Sequence, residues 1–347
     1  MRAIVFDQFC GPLLPTVVPV PSHGPDGVLI EVRAAGLCRS DWHGWQGHDP
    51  DIKTLPHVGG HEFAGVIAEV GRDVHHWKVG DRVTIPFVAG CGDCEQCRDG
   101  AAQVCDRQYQ PGFTGWGAVA EFVAVRYADF NLVGLPEALD FVEAASLGCR
   151  TATAYRAMAL QGRVKPGQWI AVFGCGGVGL SAIAIAAALG ARPIGIDIRD
   201  EPLALAKELG AELTFRADQS SDVAEAIRDA TAGGVHVSLD ALGSAATATA
   251  AIRSLRKRGR HVQAGLLVGQ DHQPRLPMEL VLARELEIVG SHGLAAADYG
   301  PLMELVVAGR VDVRRMIRRT ISLDAAPQAL VELGSFTHPG VTIIDSF

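Results

Sequence analysis

The chain has 347 residues, of which 48% are hydrophobic and 20% charged, and its formal net charge is −8. This length allows two domains with full cores, and the composition is that of a folded globular protein rather than a disordered one. The acidic balance argues against a nucleic-acid partner, because a surface that binds phosphates needs an excess of lysine and arginine.

Two features bear on where the protein resides. The chain contains eight cysteines, and its first residues, MRAI, do not resemble a signal peptide. We therefore expect a cytoplasmic protein, because thiols in a reducing compartment bind metals rather than form disulfides. Residues 169–191 carry no charge and are long enough to span a bilayer, but four central glycines favour a turn, so we expect no membrane partner.

The first 150 residues contain short β-like runs, separated by loops rich in glycine and proline, at residues 28–34, 63–70, 82–85 and 118–125. This pattern predicts a β-rich, barrel-like domain. Metal-binding residue types also occur here and just beyond, with Cys38 in the segment GLCRSDWH, His61 in GGHEFAG and Cys149 in LGCRT. Spacing alone does not join these three side chains into one site.

A regular cysteine motif follows in the same region. Cys91, Cys94, Cys97 and Cys105 form the pattern C-x2-C-x2-C-x7-C. Four thiolates so close in sequence can converge on one tetrahedral Zn²⁺, whereas two disulfides or four unrelated core cysteines would not explain the spacing. We predict a closed structural zinc site in a lobe of about residues 90–106, with no open position for a substrate.

Beyond residue 150 the pattern changes to alternating strands and helices. Trp169–Phe173 is predicted as a buried strand and residues 180–189 as a helix, and between them lies GCGGVG, which fits G-x-G-x-x-G. This order predicts a dinucleotide site, although a glycine-rich turn without a ligand is the alternative. The motif places Gly174 at the tight turn, Gly176 at the pyrophosphate and Gly179 at the helix–strand contact, with Gly177 and Val178 between them.

A second predicted strand, at residues 192–196, leads to Asp197, at the position of a carboxylate that accepts from the adenosine ribose hydroxyls. A carboxylate there repels an added 2′-phosphate, which favours NAD over NADP. Arg199 lies two residues further on and weakens that preference.

The alternation continues to residue 289. We predict helices at residues 202–209, 222–231 and 245–257, and strands at 212–215, 235–240, 261–264 and 286–289. These elements indicate a doubly wound parallel sheet, a Rossmann domain of residues 151–289. Just past two strand ends lie Leu242, Gly243, Gly265 and Leu266, which we assign either to the nicotinamide half of the cofactor or to ordinary loops.

The remaining C-terminal segment is too short for an independent domain of ordinary size. We therefore assign residues 290–347 to the first domain, together with residues 1–150. The cofactor domain is then an insertion between two segments of a catalytic domain.

Taken in order, Cys38-x-x-Asp41, GHEFAG, the four-cysteine lobe, Cys149 and GCGGVG resemble the zinc-containing medium-chain alcohol dehydrogenases of the medium-chain dehydrogenase/reductase superfamily. The resemblance covers nearly the whole chain and implies a GroES-like first domain. It also implies a catalytic Zn²⁺ held by Cys38, His61 and Cys149, in addition to the structural zinc, with the fourth position open. Two zinc ions per chain and NAD are the implied cofactors.

The resemblance assigns roles to several neighbours of these ligands. Asp41 corresponds to a carboxylate that orients a ligand, and Glu62 to an acid beside the zinc that can approach it during ligand exchange. Ser40 and His43 correspond to a proton relay, in which we expect His43 to titrate near its working range. Three aromatic residues are candidates to line the substrate pocket or, equally, to pack in the core: Trp42, Phe87 and Trp116.

The function implied is an NAD-dependent alcohol dehydrogenase, of the general alcohol-oxidising class, that interconverts a primary or secondary alcohol with its aldehyde or ketone. A polyol or amino-alcohol dehydrogenase is an alternative, although such relatives often carry glutamate in place of Cys149. A non-catalytic NAD-binding protein or a zinc-free quinone reductase relative would lack the metal ligands, and all three are present. The resemblance further implies a homodimer or homotetramer joined through edge strands, and we expect the last strand, at 286–289, to be buried.

Overall fold

The computed structural model describes residues 1–335 and 340–347. The described residues form two compact units, one of Met1–Ala152, Gly293–Val307 and Ile317–Phe347, the other of Thr153–His292 and Ala308–Met316. Among the described residues, no helix combines the length and the apolar character needed to cross a membrane.

The elements are numbered here in chain order. The strands are β1 (Arg2–Val5), β2 (Leu14–Val17), β3 (Val28–Leu37), β4 (Glu62–Val70), β5 (Arg82–Thr84), β6 (Phe122–Val125), β7 (Val133–Gly134), β8 (Trp169–Phe173), β9 (Arg192–Asp197), β10 (Leu213–Arg216), β11 (Val235–Asp240), β12 (Leu255–Gln263), β13 (Glu287–Gly290), β14 (Ile317–Ser322) and β15 (Val341–Ser346). The α-helices are α1 (Arg39–Trp45), α2 (Glu95–Arg98), α3 (Ala128–Asn131), α4 (Phe141–Ala145), α5 (Ala152–Tyr155), α6 (Gly177–Ala188), α7 (Asp200–Glu208), α8 (Val223–Ala230), α9 (Ala245–Arg253), α10 (Met278–Arg284), α11 (Tyr299–Val307) and α12 (Ala326–Glu332). Two π-helical segments flank α5, at Leu147–Thr151 and Arg156–Gln161.

The first unit is built on a mostly antiparallel sheet. Within the described residues its strand order is β14-β15-β3-β4-β5-β7, and β6 also pairs with β3. Ile30, Phe63, Ile67 and Val123 belong to its core and are at most 1% exposed, because alternate residues of β3, β4 and β6 point to the same side. The predicted β-rich domain is confirmed.

The second unit is a parallel sheet whose order, over the part of the chain that is described, is β10-β9-β8-β11-β12-β13. Each neighbouring pair is parallel. The order reverses between β8 and β11, and in doubly wound sheets a ligand binds at the carboxyl ends of the strands beside such a reversal. The predicted Rossmann-type sheet is therefore confirmed, and the fold class as a whole is α/β.

One local prediction in this unit is wrong. The helix predicted at 245–257 ends at Arg253, because Leu255 is fully buried and pairs with Val235 at the start of β12. β13 is an edge strand of this sheet, and within the single chain Leu286 just before it is 7% exposed and Ile288 36%. The expectation that the last strand is buried concerns an oligomer joined through edge strands, so it stays a prediction.

Candidate active site

The four cysteines of the predicted lobe converge. The Sγ atoms of Cys91, Cys94, Cys97 and Cys105 lie within 4.8 Å of one another, and none of them forms a disulfide. Backbone amides face the sulfurs, since Cys91 N–H donates to Cys105 Sγ at 3.2 Å and Arg107 N–H to the same atom at 3.3 Å. Converging thiols surrounded by amide donors suit thiolates bound to a cation, so this lobe is compatible with zinc.

A second group of potential ligands is buried in the first unit. Cys38, His61, Glu62 and Cys149 each offer one ligand atom, and these atoms lie within 4.8 Å of one another. The three side chains that spacing left unassigned are therefore brought together, and Glu62 joins them. Two sulfurs, one imidazole and one carboxylate are donors that Zn²⁺ accepts.

Sheet register and one helical irregularity bring these residues together. Cys38 directly follows β3 and His61 directly precedes β4, and the antiparallel pairing sets Gly36 opposite Glu62. Cys149 lies in the π-helical segment Leu147–Thr151, a local widening of the helix that is common at functional sites. The Tyr299 hydroxyl donates to the Leu147 carbonyl at 3.1 Å and holds this segment in place.

Asp41 ties two of the potential ligands together. Its Oδ1 lies 2.7 Å from His61 Nδ1 and accepts from Gly60 N–H at 3.1 Å, while its Oδ2 accepts from Cys38 N–H at 2.9 Å. The opposite ring nitrogen, His61 Nε2, is buried and has no hydrogen-bond partner among the described residues. An unsatisfied buried nitrogen is costly, and a metal ion bound at Nε2 removes that cost, so the residues present fit zinc.

Contact between the Cys38 and Cys149 sulfurs shifts the pKa values of the two thiols in opposite directions. The contact with the Cys149 thiol lowers the pKa of Cys38 well below its ordinary value, and the same contact raises the pKa of Cys149. Two thiolates side by side in a buried site require a cation between them. The chemistry of this donor set therefore favours a divalent metal.

Arg150 was not among the residues predicted from the sequence. It is 6% exposed, and its guanidinium forms a buried ion pair with Glu62. Burial raises the pKa of Glu62 to about 7, with the positive charge of Arg150 opposing the rise. The available signal was an arginine inside the apolar segment LGCRTATAY, next to a potential ligand.

The predicted relay residues both lie on α1. Ser40 Oγ is 3.9 Å from Cys38 Sγ, and His43 Nδ1 is 3.0 Å from Nδ1 of the exposed His48. Burial lowers the pKa of His43 to about 4, aided by Arg39 and His48 and opposed by Cys38. The expectation that His43 titrates near the neutral range is therefore corrected, and its pairing with His48 was missed.

The three predicted pocket aromatics have different surroundings. The ring centroid of Phe87 lies 6.0 Å from that of His61, and the ring centroid of Trp42 lies 4.9 Å from that of His43. Trp116 packs with a separate small cluster that includes Val58, and its Nε1–H donates to the Pro56 carbonyl at 3.2 Å. Phe113, which sequence reasoning missed, has its ring centroid 5.1 Å from His61.

In the second unit the glycine motif has the geometry of a phosphate-binding turn. Gly174 has φ +91, a value that L side chains rarely adopt, and a Cβ on Gly179 would lie 1.8 Å from the Gly174 carbonyl oxygen. Gly177 and Val178 open α6, and a Cβ on Gly176 at its N-cap would meet open space. The backbone amides at the start of α6 can therefore receive an anion.

Asp197 ends β9 and is bonded to the glycine turn. Its Oδ2 accepts from Cys175 N–H at 2.9 Å, and its Oδ1 accepts from Ile198 N–H at 2.8 Å and Arg199 N–H at 3.1 Å. The Arg199 guanidinium lies 3.9 Å from the same carboxylate. These hydrogen bonds hold the Asp197 carboxylate beside the glycine turn.

A buried polar network lies where β11 and β12 end. Asp240 Oδ1 accepts from the amides of Leu242 and Gly243 at 2.9 and 3.0 Å, and Oδ2 accepts from Gln263 Nε2 at 3.0 Å. Gln263 Nε2 also donates to the Gly265 carbonyl at 2.9 Å. Sequence reasoning named the loop residues Leu242, Gly265 and Leu266 but missed the side chains that position them.

Known proteins were compared with the chain as a whole. The family model described as alcohol dehydrogenase GroES-like domain matches residues 24–137, and the model described as zinc-binding dehydrogenase matches residues 177–308. The chain is 36% identical over 312 residues to an alcohol dehydrogenase of Geobacillus stearothermophilus, covering 90% of each. It is 34% identical over 353 aligned positions to an NAD-dependent alcohol dehydrogenase of Saccharolobus solfataricus, covering 99% of each. An alcohol dehydrogenase structure from Thermus sp. ATN1 superposes with a TM-score of 0.89 at 32% identity, covering 100% of both chains.

Proposed function

Since the chain belongs to the zinc-containing medium-chain alcohol dehydrogenase family, we propose that it oxidises a primary or secondary alcohol with NAD, reversibly, in a zinc-dependent reaction. The observation that carries this proposal is the buried group of Cys38, His61 and Cys149, with His61 Nε2 unsatisfied among sulfur donors. A closed four-cysteine site cannot bind substrate, so the chemistry belongs to this second group.

The proposal gives each residue of the group a task. Cys38, His61 and Cys149 would hold a catalytic zinc, and Asp41 would fix the His61 ring so that Nε2 faces the metal. When bound, Zn²⁺ acts as a Lewis acid on the substrate oxygen and NAD accepts hydride. The four cysteines of the lobe would hold a second, structural zinc.

Proton removal is assigned to Ser40 and His43. The lowered pKa of His43 keeps its imidazole neutral at physiological pH, so that a ring nitrogen is available to accept a proton. The contact between His43 and the exposed His48 connects this imidazole to the solvent-facing surface of the first unit. Trp42 and Phe87 are proposed to border the substrate, since each lies against a histidine of the site.

The cofactor is proposed to bind at the glycine turn from Gly174 to Gly179, with the loops at Leu242 and Gly265–Leu266 beside its nicotinamide half. Asp197 would accept from the ribose hydroxyls and repel a 2′-phosphate, which favours NAD over NADP, while the positive charge of Arg199 beside it opposes that effect.

Substitution of Asp197 tests the cofactor preference. Asp197→Asn removes the charge and keeps the size, and we expect the ratio of kcat/KM for NADP to that for NAD to rise about tenfold, or about 1.4 kcal/mol. Asp218→Asn, at an exposed ion pair with Arg216, is the matched control and should leave the ratio unchanged. An unchanged ratio in Asp197→Asn would transfer the preference to Arg199 or to the turn itself.

Oligomerisation is proposed to use the edge of the second unit. β13 is an edge strand with Ile288 exposed, and pairing of two such edges would give a homodimer, with a homotetramer as the larger form. Light scattering of the purified protein measures the mass directly, and a monomer would refute this part of the proposal.

The function itself is tested by metal content together with turnover. We expect two zinc ions per chain by elemental analysis, and reduction of NAD with aliphatic or aromatic alcohols. Turnover confined to polyhydric alcohols would favour a polyol dehydrogenase. One zinc per chain and no turnover would refute the enzymatic proposal and leave the four-cysteine site as the only metal centre.

A further inference from the structure

Arg150 contacts both carboxylate oxygens of Glu62. Its backbone N–H donates to Oε1 at 3.1 Å, and its guanidinium Nη2 pairs with Oε2. A third bond, from Nη1 to the Leu37 carbonyl at 3.0 Å, anchors the guanidinium to the end of β3. The side chains of Arg150 and Glu62 are 7% and 0% exposed, so water does not compete for these bonds.

The close packing around this ion pair leaves no spare room. A Cβ on Gly36 would lie 2.4 Å from Glu62 Oε2 and 2.8 Å from Arg150 Nη2. Only glycine at position 36 therefore leaves space for the two charged groups to meet beside β3.

The orientation of Glu62 matters because its carboxylate is itself a potential ligand. One of its oxygens lies within 4.8 Å of the ligand atoms of Cys38, His61 and Cys149. A carboxylate completing the two sulfurs and the imidazole would give a closed four-ligand site, whereas catalysis requires three protein ligands and an open position. Whatever holds Glu62 therefore decides whether the site is open or closed.

We propose that Arg150 is a positioning residue that holds Glu62 away from the metal and so keeps the fourth coordination position available for the substrate oxygen. The proposal rests on the proposed function of Cys38, His61 and Cys149 as metal ligands. Its physical basis is competition, because a buried carboxylate needs a cationic partner and the choice here is between a guanidinium and a metal ion. Arg150 is adjacent to Cys149 in sequence, so the residue that restrains Glu62 is attached to a ligand.

Zinc release from the holoenzyme distinguishes this role from a structural one. With Arg150→Gln, Glu62 is freed to bind, and we expect the catalytic zinc to transfer to a chromogenic chelator about tenfold more slowly, with kcat reduced about tenfold or more. In the cobalt-substituted enzyme, the visible absorption bands should shift as a carboxylate oxygen joins the metal. Zinc in the four-cysteine lobe, which lies outside the Arg150–Glu62 pair, serves as the internal control.

The double variant Glu62→Gln/Arg150→Gln should recover the wild-type release rate and cobalt spectrum, because a neutral amide is a poor ligand. If Arg150 has only a structural role, Arg150→Gln will lose zinc faster and the second substitution will not restore it, which overturns the proposal. Arg150→Lys keeps the charge with a single-point contact and should give an intermediate release rate, a readout that remains if Arg150→Gln does not fold. Failure of the wild type to bind the second zinc would refute the proposed function, whereas wild-type binding and turnover with an unaltered Arg150→Gln would refute this inference alone.

Discussion

At the scale of the residue, two buried charged side chains outside the proposed ligand set organise the candidate site. Asp41 joins the His61 ring to the backbone of Cys38 and Gly60, and Arg150 joins Glu62 to the end of β3. The Asp41 carboxylate makes three polar contacts and the Arg150 guanidinium two, one of them to a carboxylate, and such partners are what a buried charge requires to be tolerated. Ligand orientation in this site thus depends on charges that do not themselves bind the metal in the proposal.

His43 offers a prediction about pH. Its pKa is lowered from 6.5 to about 4 in the folded protein, so between these values the unfolded chain binds more protons than the native one. Stability associated with neutral His43 is therefore present above pH 6.5 and is lost as the pH falls toward 4. In denaturant titrations at pH 7.5 and pH 5, the wild type should lose more free energy of unfolding than the His43→Gln variant.

The matched control for this measurement is His75→Gln, at an exposed histidine of the same unit. It should lose the same free energy of unfolding as the wild type between the two pH values. Equal losses in the wild type and the His43→Gln variant would show that burial of His43 has no effect on its titration.

At the scale of the element, the carboxyl ends of β11 and β12 are joined through side chains rather than through strand pairing alone. Asp240 accepts from two amides of the loop after β11, and Gln263 links that carboxylate to the loop after β12. Thr247 on α9 donates to the same Asp240 carboxylate at 3.1 Å. Two loops and one helix therefore share one fully buried acceptor.

Asp240→Asn tests this network. The new amide group faces the donors of Gln263 and Thr247, so at least one buried hydrogen bond is lost, and we expect a loss of about 1–3 kcal/mol in the free energy of unfolding. NADH binding, followed by fluorescence, should weaken because the loops proposed to flank the nicotinamide lose their anchor. Asp218→Asn is the surface control and should stay within about 0.5 kcal/mol of the wild type. If the Asp240→Asn variant is destabilised but binds NADH as tightly as the wild type, the Asp240 network has a structural role only.

At the scale of the whole molecule, both potential metal groups belong to the first unit and the glycine turn to the second. Each unit has its own hydrophobic core, one around Ile30 and Phe63 and the other around Phe173 and Ile194. Metal binding is expected to stabilise the unit that contains the ligands, since ligation free energy adds to folding free energy.

Metal removal tests whether the metal ions stabilise the first unit and not the second. After treatment with a strong chelator, we expect amide hydrogen exchange to accelerate at least about tenfold around the four-cysteine lobe and at the facing ends of β3 and β4. Exchange in β8 and β11 should stay as in the untreated protein, and zinc added back should restore protection in the first unit. Uniform acceleration in both units would contradict the expectation.

Elements with a strong local pattern were predictable from the sequence, and the elements that depend on distant neighbours were not. β8 and β11 were predicted with their observed bounds, because β8 is an apolar run ended by the glycine turn and β11 alternates apolar with polar residues. The end of α9 was predicted too late in the sequence because Leu255 pairs with Val235 in the sheet. Helical periodicity does not reveal such a contact. Burial of β13 was expected from its apolar composition, and at the edge of the sheet that burial depends on pairing with a second chain, which local composition does not specify.

The amino-acid sequence by itself determined the family, the α/β fold class, the cysteine pattern of the lobe and the glycine turn, because each is encoded in residues close together along the chain. Only the tertiary structure decided that Glu62 meets Arg150, 88 residues away, and that His43 pairs with His48. The resemblance had assigned Cys38, His61 and Cys149 to one site, but only the structure showed how they converge, through the register of β3 against β4 and the position of the segment Leu147–Thr151. Such contacts depend on strand register and packing across the core, which no local spacing specifies.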